Sequence, residues 1–263
     1  MTLKNNNYST FFEDFSFSKD IKVILKNETE STNLDAKILA EQETQNTLIV
    51  ALKQTDGKGR IGRSFFSPNG TGIYMSLLLF HDISAEKTTF MTSLAAVAVA
   101  KAVEKANKTK AHIKWVNDIY QNDRKISGIL CSSAFGSKEK ASYTIIGIGI
   151  NLNTPQNGFP KEIENSAGSV FGTESITATQ RTTLINDIVN GIFEYLDTDI
   201  KAHLSEYKER SYLSGKTVSF EKDGQSITAK VLGIDDDCRL LLKAEDGKEF
   251  ALFAGEVSVK PNR

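Results

Sequence analysis

The sequence predicts an α+β fold in two units: strands interleaved with helices up to about residue 210, then short strands alone after Tyr212. Three observations carry this. Apolar runs of strand length at residues 21–25, 48–53, 72–80 and 143–151 are interspersed with stretches of helical spacing at 34–41, 87–106 and 181–210. Residues 119–121 and 125–131 flank the turn pair Asn122–Asp123, which reads as a hairpin. Beyond Tyr212, the runs 216–220, 227–234, 240–243 and 249–253 are separated by turn signals at 222–224 and 246–247, a pattern that suggests a small β-barrel or sandwich. The boundary falls at residues 211–216, dividing 1–212 from 213–263.

Each element has a local reason. The strand at 21–25 leads into ESTN, where Ser31, Thr32 and Asn33 are natural N-cap types for the helix at 34–41. The strand at 72–80 (GIYMSLLLF) is apolar enough to be buried, and 87–106 is rich in alanine. A short strand at 112–114 precedes WVND and the hairpin. Leu184, Ile185, Ile188, Val189, Ile192, Phe193 and Leu196 recur at helical spacing, which predicts one long amphipathic helix over 181–210.

Composition narrows the function classes. The chain of 263 residues holds one large unit and a small one with ample core. A net charge of −1 argues against a nucleic-acid binder that relies on a basic surface. Cys131 and Cys238 lie far apart without C-x-x-C spacing, as expected for two reduced thiols in a cytoplasmic protein. His81, His112 and His203 are scattered, so no His/Cys metal cluster is visible. The first twenty residues lack the pattern of a signal peptide and are too short and polar for a helix-turn-helix. No apolar run approaches a membrane span.

Positive charge is concentrated in GKGRIGR, where Gly57, Gly59 and Gly62 alternate with Lys58, Arg60 and Arg63. Glycines bring backbone N–H groups close to a ligand, and the cations supply charge-assisted donors for phosphate or carboxylate. The run also fits G-x-G-x-x-G, but that fingerprint works only where the glycines lead into a helix. Here SFFSPNGTG follows, and Pro68 with two further glycines forbids a helix start. The P-loop pattern is absent as well. An anion-holding loop fits better than a dinucleotide fold.

Two more segments suit a binding site. In YTIIGIGINLN, strand alternation puts Gly147, Gly149 and Asn151 on one face and Ile146, Ile148 and Ile150 on the other. Bare glycines in a strand mark the close approach of a ligand or of a neighbouring element. In KWVNDIYQNDRKISGIL, Asn117 and Asp118 either carry function or make an Asx turn, Lys125 follows the hairpin turn, and Gly128 fits a bulge.

Together these segments resemble the biotin protein ligases, also called biotin–[acetyl-CoA-carboxylase] ligases. The resemblance runs from about Thr29 to Phe253 through five motifs in the family's order: ESTN, QTDGKGRIGRSFFSPNGTGIYMS, KWVNDIY, RKISGIL and IGIGINLN. It implies a catalytic domain with a mixed central β-sheet and flanking helices, followed by a small SH3-like β-barrel. It is closest to the shorter class without an N-terminal DNA-binding domain. The implied reaction activates biotin with ATP to biotinyl-5′-AMP, then transfers biotin to a lysine of a biotin carboxyl carrier protein, with Mg2+ as cofactor and metal ligands unspecified. The resemblance leaves a homodimer open and implies no nucleic-acid or membrane partner.

Residue by residue, the resemblance places Ser31, Thr32, Asn33 and Gln54 around the ureido and thiophene end of biotin. Gly57, Lys58, Gly59 and Arg60 would fold over the adenylate, with Arg63, Phe65, Asn117 and Asn151 on its nucleotide side. Lys125 would bond the carboxylate and stabilise charge at phosphorus. Gly128, Gly147 and Gly149 would leave room for the fused rings, and Asp118 would meet the incoming lysine. The chain departs from the family at Lys58 (usually Arg), Phe65 (commonly Trp) and Val116 (proline in KWPND). Lipoate or octanoate ligases of the same fold lack KW-x-ND. A non-catalytic biotin-binding protein would require loss of Arg60 or Lys125, and both are present.

Overall fold

Hydrogen bonding of β1 (Lys22–Lys26) to β2 (Thr47–Ala51) is parallel, whereas β2 pairs antiparallel with β3 (Gly72–Leu79), so the main sheet is mixed. The computed structural model describes residues 8–80, 83–135, 140–253, 255 and 257–259, which leaves His81 outside the described residues. The sheet continues through β4 (Ile83–Ser84), β5 (His112–Lys114), β6 (Asp118–Gln121), β7 (Arg124–Phe135) and β8 (Lys140–Asn151). Its order is β1-β2-β3-β8-β7-β6-β5, with β4 also on β8. Central β8 thus lies between β3 and β7, and Gly147 and Gly149 sit in the middle of the sheet. Asn122 and Asp123, with φ of 49° and 60°, make the turn of the β6–β7 hairpin.

The two faces differ as the alternation requires. Ile146, Ile148 and Ile150 enter the main core with buried residues of α3 (Met91–Asn107) and α4 (Ala178–Asp197). On the other face, Ala36 of α1 (Thr32–Ala40) joins Ile49, Leu78 and Ile145 in a small second core. That helix covers one end of the face and leaves the glycines of β8 at the end of its reach.

Two helical expectations need correction. The stretch 87–106 is broken: α2 (Ala85–Thr88) stops where the Thr88 hydroxyl donates to the Ala85 carbonyl at 2.6 Å, and α3 begins after Phe90. The stretch 181–210 is also two helices. α4 starts at Ala178 behind a Thr177–Gln180 capping box, and α5 (Leu204–Glu209) follows a turn. The cause is Asp197-Thr198-Asp199, whose short polar side chains compete with helix bonds. Thr198 donates to the Glu194 carbonyl at 2.7 Å, and Asp199 accepts from the Lys201 N–H at 2.9 Å.

Residues 8–20 form a strap along α4. The N–H groups of Glu13, Ser16 and Ser18 donate to Thr182 Oγ1, Asn186 Oδ1 and Asn190 Oδ1 at 2.8, 3.1 and 2.8 Å. Those acceptors are four residues apart and therefore form one stripe on the helix. Phe12 and Phe15 bury their rings beside them.

After α5, β9 (Thr217–Lys222), β10 (Gln225–Ile234), β11 (Leu240–Ala244), β12 (Glu249–Leu252) and β13 (Ser258–Val259) make an antiparallel sheet ordered β12-β11-β10-β9-β13. The last strand escapes the sequence reading because two residues show no period. The second sheet meets the first unit through a buried polar contact, in which Trp115 Nε1–H donates to the Cys238 carbonyl at 2.8 Å; beside it, within the first unit, Tyr207 Oη–H of α5 donates to the Val116 carbonyl at 2.9 Å. No helix among the described residues is long and apolar enough to cross a membrane.

His203 lies fully buried in the same contact region. Its Nδ1 is 2.6 Å from the Ile200 carbonyl and must donate, which leaves Nε2 to accept from the Ser93 hydroxyl at 2.7 Å. Burial pushes the imidazole down to about 4, below the usual ~6.5. The unfolded chain therefore takes up this proton first as pH falls. The stability is fully present above about pH 6.5 and is lost towards pH 4, by up to about 3 kcal/mol. Between those pH values, His203→Gln should lose less thermal stability than the wild type, measured from its own neutral-pH midpoint. Parallel melting-temperature profiles would show that His203 does not set the acid limit.

Candidate functional site

Every residue that the resemblance assigns to the site lines one cavity of about 170 Å3 except Gly57 and Asn151. The floor is the bare face of β8. A Cβ on Gly147 would collide with the Asn33 amide, and one on Gly149 would lie 2.6 Å from the Phe65 ring. The space above these glycines is held by protein side chains, so the alternation argument finds the right face and the structure adds what occupies it. Gly128 serves a different neighbour, since a Cβ there would sit 3.2 Å from Lys125 Nζ.

At one end of the floor is a polar network. Thr32 donates through both N–H and Oγ1 to Gln54 Oε1 at 2.9 and 3.2 Å, and Gln54 Nε2 donates to Ser67 Oγ at 3.0 Å. Ser76 Oγ lies 2.8 Å from Thr32 Oγ1 and 2.5 Å from Asn33 Oδ1, with one proton to share between two acceptors. A ligand bearing adjacent N–H and C=O groups suits such an end. Ser31 sits at the N-cap position but makes no side-chain cap bond, so its hydroxyl is not consumed by the helix. Ser76 was not singled out in the sequence, although a serine in the fully buried strand GIYMSLLL is a usable signal.

At the other end is a charged cluster. Arg60 Nη1 donates to Asn117 Oδ1 at 3.0 Å, and Asn117 Nδ2 donates to the Ile129 carbonyl at 2.9 Å, which ties the basic loop to β7. Lys125 Nζ lies 2.7 Å from Asp118 Oδ1. That oxygen is buried and receives no aligned hydrogen bond, so the contact is one of charge. Lys58 is paired with Asp56 on the outer side of the loop, and this partner raises its pKa. Lys114 and Trp115 complete the wall, as do Gly255, Val257 and Ser258 from the second sheet. No local pattern in the sequence points to these last three.

The two exceptions lie behind the cavity. The Gly57 carbonyl accepts the Phe65 N–H at 2.7 Å, and Asn151 Nδ2 donates to the Gly168 carbonyl at 3.0 Å. A larger hollow of about 820 Å3 runs between α3 and α4. Its charges are mostly spent on one another, as in Lys105–Asp187 at 2.8 Å and Arg210–Glu104 at 2.8 Å, and it has no glycine floor. The smaller cavity is the better site because polar, charged and glycine-lined surfaces converge there. It is below the roughly 300–1,000 Å3 of ordinary ligand pockets, so Phe65 and the basic loop have to give way to a large ligand.

Comparison with known proteins shows what the chain as a whole resembles. Residues 23–151 match the family described as the biotin/lipoate A/B protein ligase family, and residues 213–260 match the biotin protein ligase C terminal domain. The chain is 37% identical over 223 residues to the bifunctional ligase/repressor BirA of Bacillus subtilis, covering 82% of this chain and 68% of that protein. It is 24% identical over 241 residues to the biotin–[acetyl-CoA-carboxylase] ligase of Mycobacterium tuberculosis, covering 88% and 86%. Its fold matches the biotin protein ligase of Aquifex aeolicus solved with biotin and ATP, with a TM-score of 0.73 and 24% identity over 92% of this chain and 99% of that one.

Proposed function

This chain belongs to the biotin/lipoate A/B protein ligase family, and we propose that its cavity is where biotin meets ATP and where the resulting biotinyl-5′-AMP is held for transfer. The activity is that of an ATP-dependent biotin protein ligase: biotin becomes biotinyl-5′-AMP with release of pyrophosphate, and a carrier lysine then displaces AMP. The observation that carries the residue assignment is the single cavity with a neutral polar network at one end and a cation cluster at the other.

In this reading the network of Thr32, Asn33, Gln54 and Ser76 takes the ureido ring, since its acceptors and donors match that group's N–H and C=O. Lys125 and Arg60 bring the carboxylate and α-phosphate together, because two anions approach each other only where cations offset their repulsion. Gly255, Val257, Ser258 and the basic loop keep water from the mixed anhydride. Mg2+ fits as a companion of the ATP phosphates rather than a resident ion, as no group of three or more His, Cys, Asp or Glu among the described residues could hold it. There it would neutralise charge on the pyrophosphate. Residues 1–212 form the catalytic unit, and 213–263 an SH3-like unit, a division supported by the second sheet. A biotin carboxyl carrier domain is the acceptor, and two free cysteines suit a cytoplasmic setting.

The direct test incubates the chain and ATP with a carrier domain and either biotin or lipoate, then detects each acyl group on the carrier. Biotin-dependent labelling alone supports the reading, whereas lipoate labelling would reassign the substrate. For the loop, Arg60→Ala should leave the fold intact and release biotinyl-5′-AMP about tenfold faster. That factor is the loss of about 1.4 kcal/mol from one charge-assisted hydrogen bond. Unchanged retention in a filter-binding chase would count against loop closure through Arg60.

A further inference from the structure

Arg181, in the first turn of α4, is only 5% exposed. Taking a guanidinium out of water is costly, and such a charge persists where fixed groups satisfy it. Here Nη1 donates to the Gly72 carbonyl at 2.7 Å and Nη2 to the Gly70 carbonyl at 3.0 Å, while the Phe11 ring of the strap lies 6.0 Å from the guanidinium carbon. Gly70 and Gly72 are the point where the basic loop re-enters the sheet, since Gly72 opens β3 and pairs with Asn151 of β8.

From that point a row of contacts runs to the cavity. The Tyr74 ring stands over Gly72, where a Cβ would meet its tip at 2.5 Å. Its hydroxyl donates to the Pro68 carbonyl at 2.9 Å, back inside the loop. The ring meets Phe65 edge-on with centroids 6.4 Å apart, and Phe65 lies directly over Gly149. The glycines at 70 and 72 leave this hinge conformationally loose; Gly70 itself has φ of 74°. A planar fork with two parallel donors can fix both carbonyls at once.

We infer that Arg181 is a positioning residue for the ligase reaction: by clamping the Gly70 and Gly72 carbonyls, it sets Tyr74 and Phe65 and hence the return end of the loop over the adenylate. The strap is part of the device, because the stripe Thr182, Asn186 and Asn190 that holds it lies on the same helix, and Phe11 closes the guanidinium from water. This rests on reading the cavity as the adenylate site.

Two measurements on the full chain test it with Arg181→Met, Arg181→Lys and Phe11→Ala. The first is tryptic cleavage of the ligand-free protein after Lys58, Arg60 and Arg63, followed by mass spectrometry. The second is dissociation of biotinyl-5′-AMP set against the equilibrium affinity for biotin. Arg181→Met should speed both loop cleavage and adenylate release by about tenfold, one charge-assisted contact's worth, while biotin affinity stays within about twofold. Arg181→Lys should restore only part, and Phe11→Ala should fall between wild type and Arg181→Met. A merely structural role would lower thermal stability and weaken biotin and adenylate binding alike, which would overturn the inference. Unchanged cleavage and release in the folded variants would do so too. If Arg181→Met does not fold, Phe11→Ala decides the matter by the same two readouts. Faster cleavage in the variants of a wild type that forms no adenylate would keep the clamp and overturn the functional reading instead.

Discussion

Replacing Lys125 by alanine is expected to slow formation of biotinyl-5′-AMP by about 10²–10³-fold, or about 3–4 kcal/mol of transition-state stabilisation. Two effects combine. The ammonium that would meet charge developing at phosphorus is gone, and the Asp118 carboxylate, whose Oδ1 lies 2.7 Å from it, loses its partner. An unpaired carboxylate then faces two incoming anions, so repulsion adds to the lost attraction. The double variant Lys125→Ala/Asp118→Asn should therefore recover part of the loss, although it carries two substitutions. Arg at this position should rescue poorly, because the ammonium fits against Gly128 where a Cβ would come within 3.2 Å, and a planar fork needs more room. Single-turnover pyrophosphate release measures the step. A Lys125→Ala rate within a few-fold of wild type would remove Lys125 from the chemistry.

Much of this was legible in the sequence because strands and glycines carry local signals. The alternation in YTIIGIGINLN placed Gly147 and Gly149 on one face without any knowledge of the sheet, and the turn chemistry of Asn122–Asp123 predicted the hairpin that carries Lys125. What could not be read arises from contacts between distant segments. Phe65 fills the space over Gly149 from 84 positions away, a distance read directly from the two residue numbers. Ser76 gains its role only when β3 is set against α1. Arg181 looks like an ordinary polar residue of an amphipathic helix until its register aims it at Gly70 and Gly72. The helix break at 197–199 has a local signal in three short polar residues, which apolar spacing that ends at Leu196 does not register.

Asp118→Asn is expected to separate the two half-reactions. The substitution keeps the shape of the side chain and removes its charge, so the Lys125 ammonium stays in the cavity with less competition for its charge. Adenylate formation should then stay within a few-fold of wild type. Transfer should slow by about 10²-fold, the lower end of what a positioned general base contributes. The acceptor amine must lose a proton to attack, and an amide cannot receive it. At alkaline pH more of that lysine is already neutral, since its reference pKa is about 10.4, so the deficit should shrink as pH rises. The rival account is that Asp118 only holds Lys125 in place. It predicts the opposite division: a loosened Lys125 would impair adenylate formation, and transfer from adenylate already made would proceed normally at every pH. Single-turnover transfer from preformed biotinyl-5′-AMP, followed from neutral to alkaline pH, decides between them because the first step is then excluded. Equal rates for the two proteins at neutral pH would leave Asp118 as the counter-ion of Lys125 and assign the proton to water or to the carrier itself.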